Sequence, residues 1–278
     1  QSIYRELTLA RELLPPDRLP TLFYLDKTYT SSDTTSWFDQ AAVAEFTDAL
    51  ETWVGHPITD EHLTTAIAEN NHVRGLLSRI THARRQDPPA VLGSDALKLF
   101  SLSTAMTAPD FIDLAEAYLR ELTPIGEPAR PRIFLAGSPH DHPAVYELIE
   151  ACGAVVVGDD HCWGDRCADW PVASACPPRE AVAARYHRMP ACSLRFPFAH
   201  AVDEFESRLA GARCDGVVFW VLAGDDLQLW ETPEQIAVAD RLGLPYLHLS
   251  GQPYDKDVSA GVRTQLAEFV AGLPERVS

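Results

Sequence analysis

Four short segments, Arg132–Ala136, Ala154–Val157, Gly216–Leu222 and Pro245–Leu249, are nearly all apolar, and helical stretches separate them. Strands that read as continuous apolar runs are buried on both faces, which requires a parallel sheet covered by helices. The connecting helices are expected at 143–152, 179–187, 199–209, 232–242 and 258–273. Right-handed crossovers then give a flavodoxin-like α/β layer: a four-stranded parallel sheet sandwiched by helices. In such a sheet the ligand crevice lies at the carboxyl ends of the strands. Four loops belong to that edge: Gly137–His142, Gly158–Arg166, Ala223–Trp230 and Ser250–Tyr254.

The texture changes near Pro128–Pro131, which divides the chain into a helix-rich part (1–128) and the flavodoxin-like domain (129–278). In the first part, Val43, Phe46, Leu50 and Val54 recur at helical spacing before Gly55. Thr59-Asp60-Glu61-His62 then reads as the start of a second helix. Ser94–Met106 and Asp110–Leu122 read as two more, and Leu19–Leu25 as a single strand. One strand among helices makes no sheet of its own, so this part is expected to be the remainder of a truncated amino-terminal domain. The opening Gln1, without an initiator Met, agrees with a fragment or a processed product.

Charge narrows the function. Lys and Arg total 23 against 40 Asp and Glu, a net charge of -17. Such a surface repels phosphate backbones, so no nucleic-acid partner is expected. No apolar run reaches the roughly 18 residues of a membrane span, and no basic-then-apolar leader is present. The six Cys all fall between Cys152 and Cys214. A stapled secreted fold would spread them through a smaller chain, so a cytoplasmic location is expected.

Several groups at the expected edge carry chemistry. Gly137-Ser138 can present an anion site or simply cap the next helix. His140-Asp141-His142 is either a weak metal site or, more simply, a solvated polar loop. Asp159-Asp160-His161-Cys162-Trp163-Gly164-Asp165-Arg166-Cys167 is the densest reactive stretch. Cys162, Cys167, Cys176 and Cys192 can hold zinc or an iron–sulfur cluster, but their spacing is irregular, and packing of a loop is the simpler role. Asp225-Asp226 can serve as ligand, base or helix cap.

The order of these motifs resembles the 2-hydroxyacyl-CoA dehydratase family, which includes the small subunits of benzoyl-CoA reductase. Thr59–Leu63 with Asn70–Arg74 is similar to its helical segment, and Arg132–Ser138 to its strand and Gly-Ser turn. Asp159–Arg166 is similar to its Asp-Asp-x-Cys-x-Gly-x-Arg loop. Arg185-Tyr186, Cys192, Asp215–Val218 and Arg263–Phe269 resemble further pieces in the family's order.

The resemblance implies a lyase subunit that takes part in radical, iron–sulfur-dependent dehydration of a 2-hydroxyacyl-CoA, or in reduction of an aromatic acyl-CoA. It implies a [4Fe–4S] cluster, an acyl-CoA substrate, a paralogous subunit in a heterodimer and an ATP-dependent activator. It also implies substrate contacts at Ser138, Cys162 and Arg166. Read from the residues, Arg166, Arg185 and Arg195 either offset CoA phosphates on an otherwise acidic surface or are simply solvated, as Arg on loops and helix ends usually is. Two departures stand against full activity. Asp225 occupies the family's cluster-Cys position, where it would be a weaker metal ligand than thiolate. The family's amino-terminal domain, with its other two cluster Cys, has no counterpart in this sequence. Three readings follow: a truncated catalytic subunit with Asp225 as ligand, a cluster-deficient subunit paired with a catalytic paralogue, or a stand-alone acyl-CoA-binding scaffold.

Overall fold

The computed structural model describes residues 6–9, 21–30, 32–125, 130–188, 198–254 and 258–274. In chain order it contains α1 (Asp33–Val54), α2 (Asp60–Arg84), α3 (Gly93–Ala105), α4 (Ala108–Arg120), β1 (Arg132–Gly137), α5 (Ala144–Ala151), β2 (Val155–Asp159), α6 (Pro178–Arg188), α7 (Ala199–Ala212), β3 (Gly216–Leu222), α8 (Asp226–Arg241), β4 (Tyr246–Gln252) and α9 (Ala260–Ala271). These fall into two compact units: Gln1–Thr65 with Val172–Met189, and Ala66–Pro171 with Pro190–Ser278.

In the first unit, α1 begins at a reciprocal cap. Ser32 Oγ accepts from Thr35 N, while Thr35 Oγ1 accepts from Ser32 N, which satisfies two donors that the first helical turn leaves open. The helix stops at Gly55, whose φ of 76° is left-handed. α6 packs along α1, and Asp39 pins the pair: its carboxylate accepts from Thr28 N at 2.9 Å and Thr28 Oγ1 at 3.0 Å, and His187 Nδ1 lies 2.7 Å away. The expected strand at Leu19–Leu25 is not seen. Its first two residues lie outside the described set, and residues 21–25 form no strand. Phe23 instead packs its ring 5.2 Å from Phe46 and 6.5 Å from Trp53.

The second unit carries the sheet, in the order β2-β1-β3-β4 with every pair parallel. This is the flavodoxin-like layer that the apolar runs require. Ile133, Leu135, Val156, Val218 and Trp220 face α3, α5 and α9 on one side. Phe134, Val155, Val157, Val217 and Phe219 face α7 and α8 on the other. Each such side chain contributes about 1.5–3 kcal/mol on full burial, so both faces are committed to the core. A further core joins α2, α3 and α4 through Leu76, Ile80, Phe100 and Phe111. α3 comes close to the sheet at Gly93, where a Cβ would lie 2.6 Å from the Val156 side chain. Glu150 then accepts from Gly93 N at 2.7 Å and stands in for a cap on α3.

Some boundaries differ from the sequence reading. α8 begins at Asp226, six residues before the expected start at Thr232. Thr232-Pro233 resembles a helix start, but Asp225 already caps the helix, and Thr232 Oγ1 returns a bond to Gln228 O at 2.7 Å, so Pro233 sits within it. β2 and β4 also run on to Asp159 and Gln252, past their apolar stretches. Among the described residues no helix is long and apolar enough to cross a membrane.

Candidate functional site at the strand ends

β1 is flanked by β2 on one side and β3 on the other, so the strand order reverses between β1 and β3, where such sheets form a crevice. Gly137 closes β1 at φ 112°, and a Cβ there would collide with the Trp220 carbonyl. Only glycine therefore lets β1 end this close to β3. Ser138 follows, fully buried, and its N donates to Trp220 O at 2.8 Å. Its Oγ accepts from Leu222 N at 2.9 Å and donates to Asp225 Oδ2 at 2.6 Å. Asp225 Oδ1 accepts from Gln228 N at 3.2 Å, which makes Asp225 the N-cap of α8 and sets its charge against the positive helix end. Thus Ser138 and Asp225 meet at this crevice, and both oxygens of Asp225 already accept hydrogen bonds.

The loop after β2 is organised around a buried carboxylate. Asp159 Oδ1 accepts from Asp165 N at 2.7 Å, and Oδ2 accepts from Arg84 Nη2 at 2.9 Å and from the Tyr146 hydroxyl at 3.0 Å. Burial pushes the Asp159 carboxyl up, but Arg84 and His161 outweigh it and hold the group well below the usual carboxylate range. Asp165 shares the same guanidinium at 2.7 Å and takes Arg85 at 3.1 Å. A Cβ on Gly164 would overlap the Asp159 carboxylate. Hence the Asp, Gly and second Asp of this motif build the loop itself.

Asp160 holds Arg166 Nε at 2.7 Å and Arg208 Nε at 3.3 Å, while Arg208 also grips Asp169 at 2.5 Å. Nearby, Glu231 on α8 is buried, and burial pushes its carboxyl up to about 7 against the pull of Arg166.

His140 and His161 form a second buried group, together with Tyr146. Their ring centroids are 5.5 Å apart, and Tyr146 Oη lies 2.7 Å from His161 Nε2. Burial depresses the His140 imidazole to about 3 and lowers His161 as well, so both are neutral at physiological pH. The expectation of a solvated His140-Asp141-His142 loop is therefore corrected at His140, which the sheet covers. Asp141 is exposed and His142 half-buried, its Nδ1 among the buried atoms without a partner; Tyr254 donates its hydroxyl to Asp141 and stacks edge-on with His142.

Among the described residues the cysteines give no shared metal site. Cys162 is exposed, and the thiol of Cys167 donates to its carbonyl at 3.1 Å; burial pushes the Cys167 thiol up to about 12. Cys176 belongs to the first unit, as does Arg185, which lies over the Tyr186 ring. Cys214 precedes β3 at the opposite end of the sheet. Cys192 and Arg195 lie outside the described residues. Among the described residues no group of three His, Cys, Asp or Glu is placed to share a metal ion. Asp225 without further ligands beside it does not make a cluster site, so the described residues alone do not supply a cluster's ligand set.

Sequence reading misses Arg84, Tyr146, Arg208 and Glu231. The first three sit on helices whose periodicity marks only the apolar face. Glu231 falls between the expected loop, which ends at Trp230, and the expected helix, because α8 starts earlier than its Thr-Pro pair suggests.

A family model described as 2-hydroxyglutaryl-CoA dehydratase, D-component, matches residues 12–273. The chain is also 27% identical over 243 residues to a protein of Escherichia coli (strain K12) named as a putative dehydratase subunit, YjiM; the match covers 84% of this chain and 63% of that protein. The chain thus spans less than two-thirds of the length of this curated relative.

Proposed function

The chain belongs to the 2-hydroxyglutaryl-CoA dehydratase D-component family, and from that premise we propose that it is a subunit of a 2-hydroxyacyl-CoA dehydratase-type lyase, or of a related aromatic acyl-CoA reductase, whose β1/β3 edge forms part of the acyl-CoA pocket. The observation that carries this reading is the Ser138–Asp225 bond, made where the strand order reverses. In this reading Ser138, Cys162 and Arg166 face the substrate. Arg166 brings a positive charge to an acidic chain, held in place by Asp160. Its partners are a paralogous subunit and an ATP-dependent activator.

The family's [4Fe–4S] cluster would supply low-potential electron transfer when bound. Asp225 stands at the family's cluster-Cys position, and each of its oxygens keeps a lone pair beyond the hydrogen bond it accepts. The second reading, a cluster-free acyl-CoA-binding scaffold, is favoured by the engagement of both Asp225 oxygens and by the lack of a shared metal site among the described residues.

Anaerobic co-expression with a paralogous subunit tests both. Acyl-CoA binding by the pair, with iron and sulfide that fall in Asp225→Ala, supports the ligand role. Iron unchanged by that substitution dismisses it, and acyl-CoA binding without iron in this chain supports the scaffold. No acyl-CoA binding by the pair rejects the family reading of the pocket.

A further inference from the structure

Among the described residues, the buried polar atoms without a hydrogen-bond partner include three on rings packed around His140: His140 Nε2, His161 Nδ1 and Trp220 Nε1; Arg84 Nε and Nη1 and His142 Nδ1 are others nearby. The three residues are 4%, 2% and 1% exposed. They come from the loop after β1, the loop after β2 and from β3, and His140 is central. Its ring centroid lies 5.5 Å from His161 and 6.4 Å from Trp220. Folded proteins pair the great majority of their buried polar atoms, so three orphans around one ring call for an explanation.

The donor and acceptor roles follow from the surrounding bonds. The Asp159 carboxylate can only accept, so the single hydroxyl proton of Tyr146 goes to Asp159 Oδ2. The Tyr146 oxygen must then accept from His161 Nε2, which carries the ring proton. In a neutral imidazole this leaves His161 Nδ1 as a bare lone pair. Trp220 Nε1 can only donate. Arg84, through Asp159 and Tyr146, thus fixes the tautomer of His161.

We infer that His140, His161 and Trp220 form a subsite for a neutral hydroxyl group, the 2-hydroxyl of an acyl thioester. A hydroxyl is the group that both donates and accepts at a single oxygen: it gives its proton to His161 Nδ1 and accepts from Trp220 Nε1. With that proton given, His140 Nε2 can only donate to the second lone pair, which requires its Nε2–H tautomer. The uncharged imidazoles offer no net attraction to an anion, which separates this subsite from a phosphate or carboxylate site. The substrate assignment rests on the acyl-CoA reading above, while the polarity of the subsite does not. A trapped water has the same chemistry and is the competing occupant.

Calorimetry on the full 278-residue chain, with 2-hydroxybutanoyl-CoA, butanoyl-CoA and free CoA, tests this. The hydroxy ester should bind about tenfold more tightly than the deoxy ester, the worth of one to two hydrogen bonds. That advantage should vanish in His161→Phe and in Trp220→Phe, which keeps an apolar ring should the histidine variant not fold. In 15N-histidine spectra of the unsubstituted chain, His161 Nδ1 should shift with the hydroxy ester and not with the deoxy ester. Equal binding of the two esters overturns the subsite and leaves the acyl-CoA reading standing. The subsite is likewise overturned by an advantage that survives both substitutions, or by a crystal structure of the hydroxy-ester complex with only water at the three nitrogens. Esters that bind no better than free CoA overturn both.

Discussion

Ser138 Oγ lies 2.6 Å from Asp225 Oδ2 and 2.9 Å from Leu222 N, so one buried hydroxyl joins the end of β1, the end of β3 and the start of α8. Ser138→Ala removes a donor and an acceptor at once and leaves the Leu222 N–H unpaired. Urea unfolding should show a loss of about 1–3 kcal/mol. Asp225→Asn keeps an oxygen for the helix cap and should cost less than Asp225→Ala, which loses about 1 kcal/mol from the cap alone. Equal losses in the two Asp225 variants would mean that the cap contributes nothing.

The Arg84 side chain is fully buried between two carboxylates, Asp159 at 2.9 Å and Asp165 at 2.7 Å. Arg84→Met fills a similar volume but strands the Asp159 charge, because Asp165 retains Arg85 and Asp159 has no second cation in contact among the described residues. Removing one partner of a buried pair typically costs about 3–5 kcal/mol. The denaturation midpoint of Arg84→Met should fall accordingly, and Arg85→Met should fall much less.

This pair also marks the limit of what the sequence discloses. The strands are legible because Val155–Val157 and Val217–Val221 are apolar on both faces, and a parallel sheet is the stable arrangement for such runs. The strand-end position of Ser138 and Asp225 follows from that topology. Arg84, 75 residues upstream of Asp159, gives no local signal, since a charged residue in an amphipathic helix normally faces solvent. Tyr146 reads as one more apolar position of α5. His140 reads as solvated because its neighbours Asp141 and His142 are polar, and its burial depends on how β1 meets β3. Thr232-Pro233 imitates a helix start, which hides Glu231.

His140 gives a stability window with a definite sign. Its folded imidazole titrates at about 3, against about 6.5 for an unfolded histidine. Between those values the unfolded chain binds a proton that the folded chain refuses, so acid favours unfolding. Stability should therefore drop as pH falls from about 6.5, with a slope of up to ~1.4 kcal/mol per pH unit for this residue. His161, lowered by the same burial, adds to the slope. Asp159 acts only below about pH 4, where the unfolded carboxyl protonates, so measurements from about pH 7 to about 4.5 exclude it; Glu231, pushed up to about 7, opposes the histidines over that range, so the His140 contribution is read as the difference in slope between the unsubstituted chain and His140→Phe. His140→Phe should flatten the unfolding free energy over that range; an unchanged slope would show that His140 is not held neutral by the fold.

Gly164 is constrained by the carboxylate beneath it rather than by its φ of -115°, which lies outside the left-handed region. A Cβ there would overlap Asp159, and Asp159 is fixed by bonds from Asp165 N, Arg84 and Tyr146, so it cannot yield without breaking them. Gly164→Ala should therefore disturb the Arg84 and His161 side chains together, acting on both through Asp159. The expected loss is about 3 kcal/mol or more, the range seen when a buried ionic network is broken. Amide hydrogen exchange should show the loop from Asp159 to Cys167 opening with it. Protection at Asp165 N that survives the substitution would mean that the carboxylate had moved aside, and that Gly164 is not what seats it.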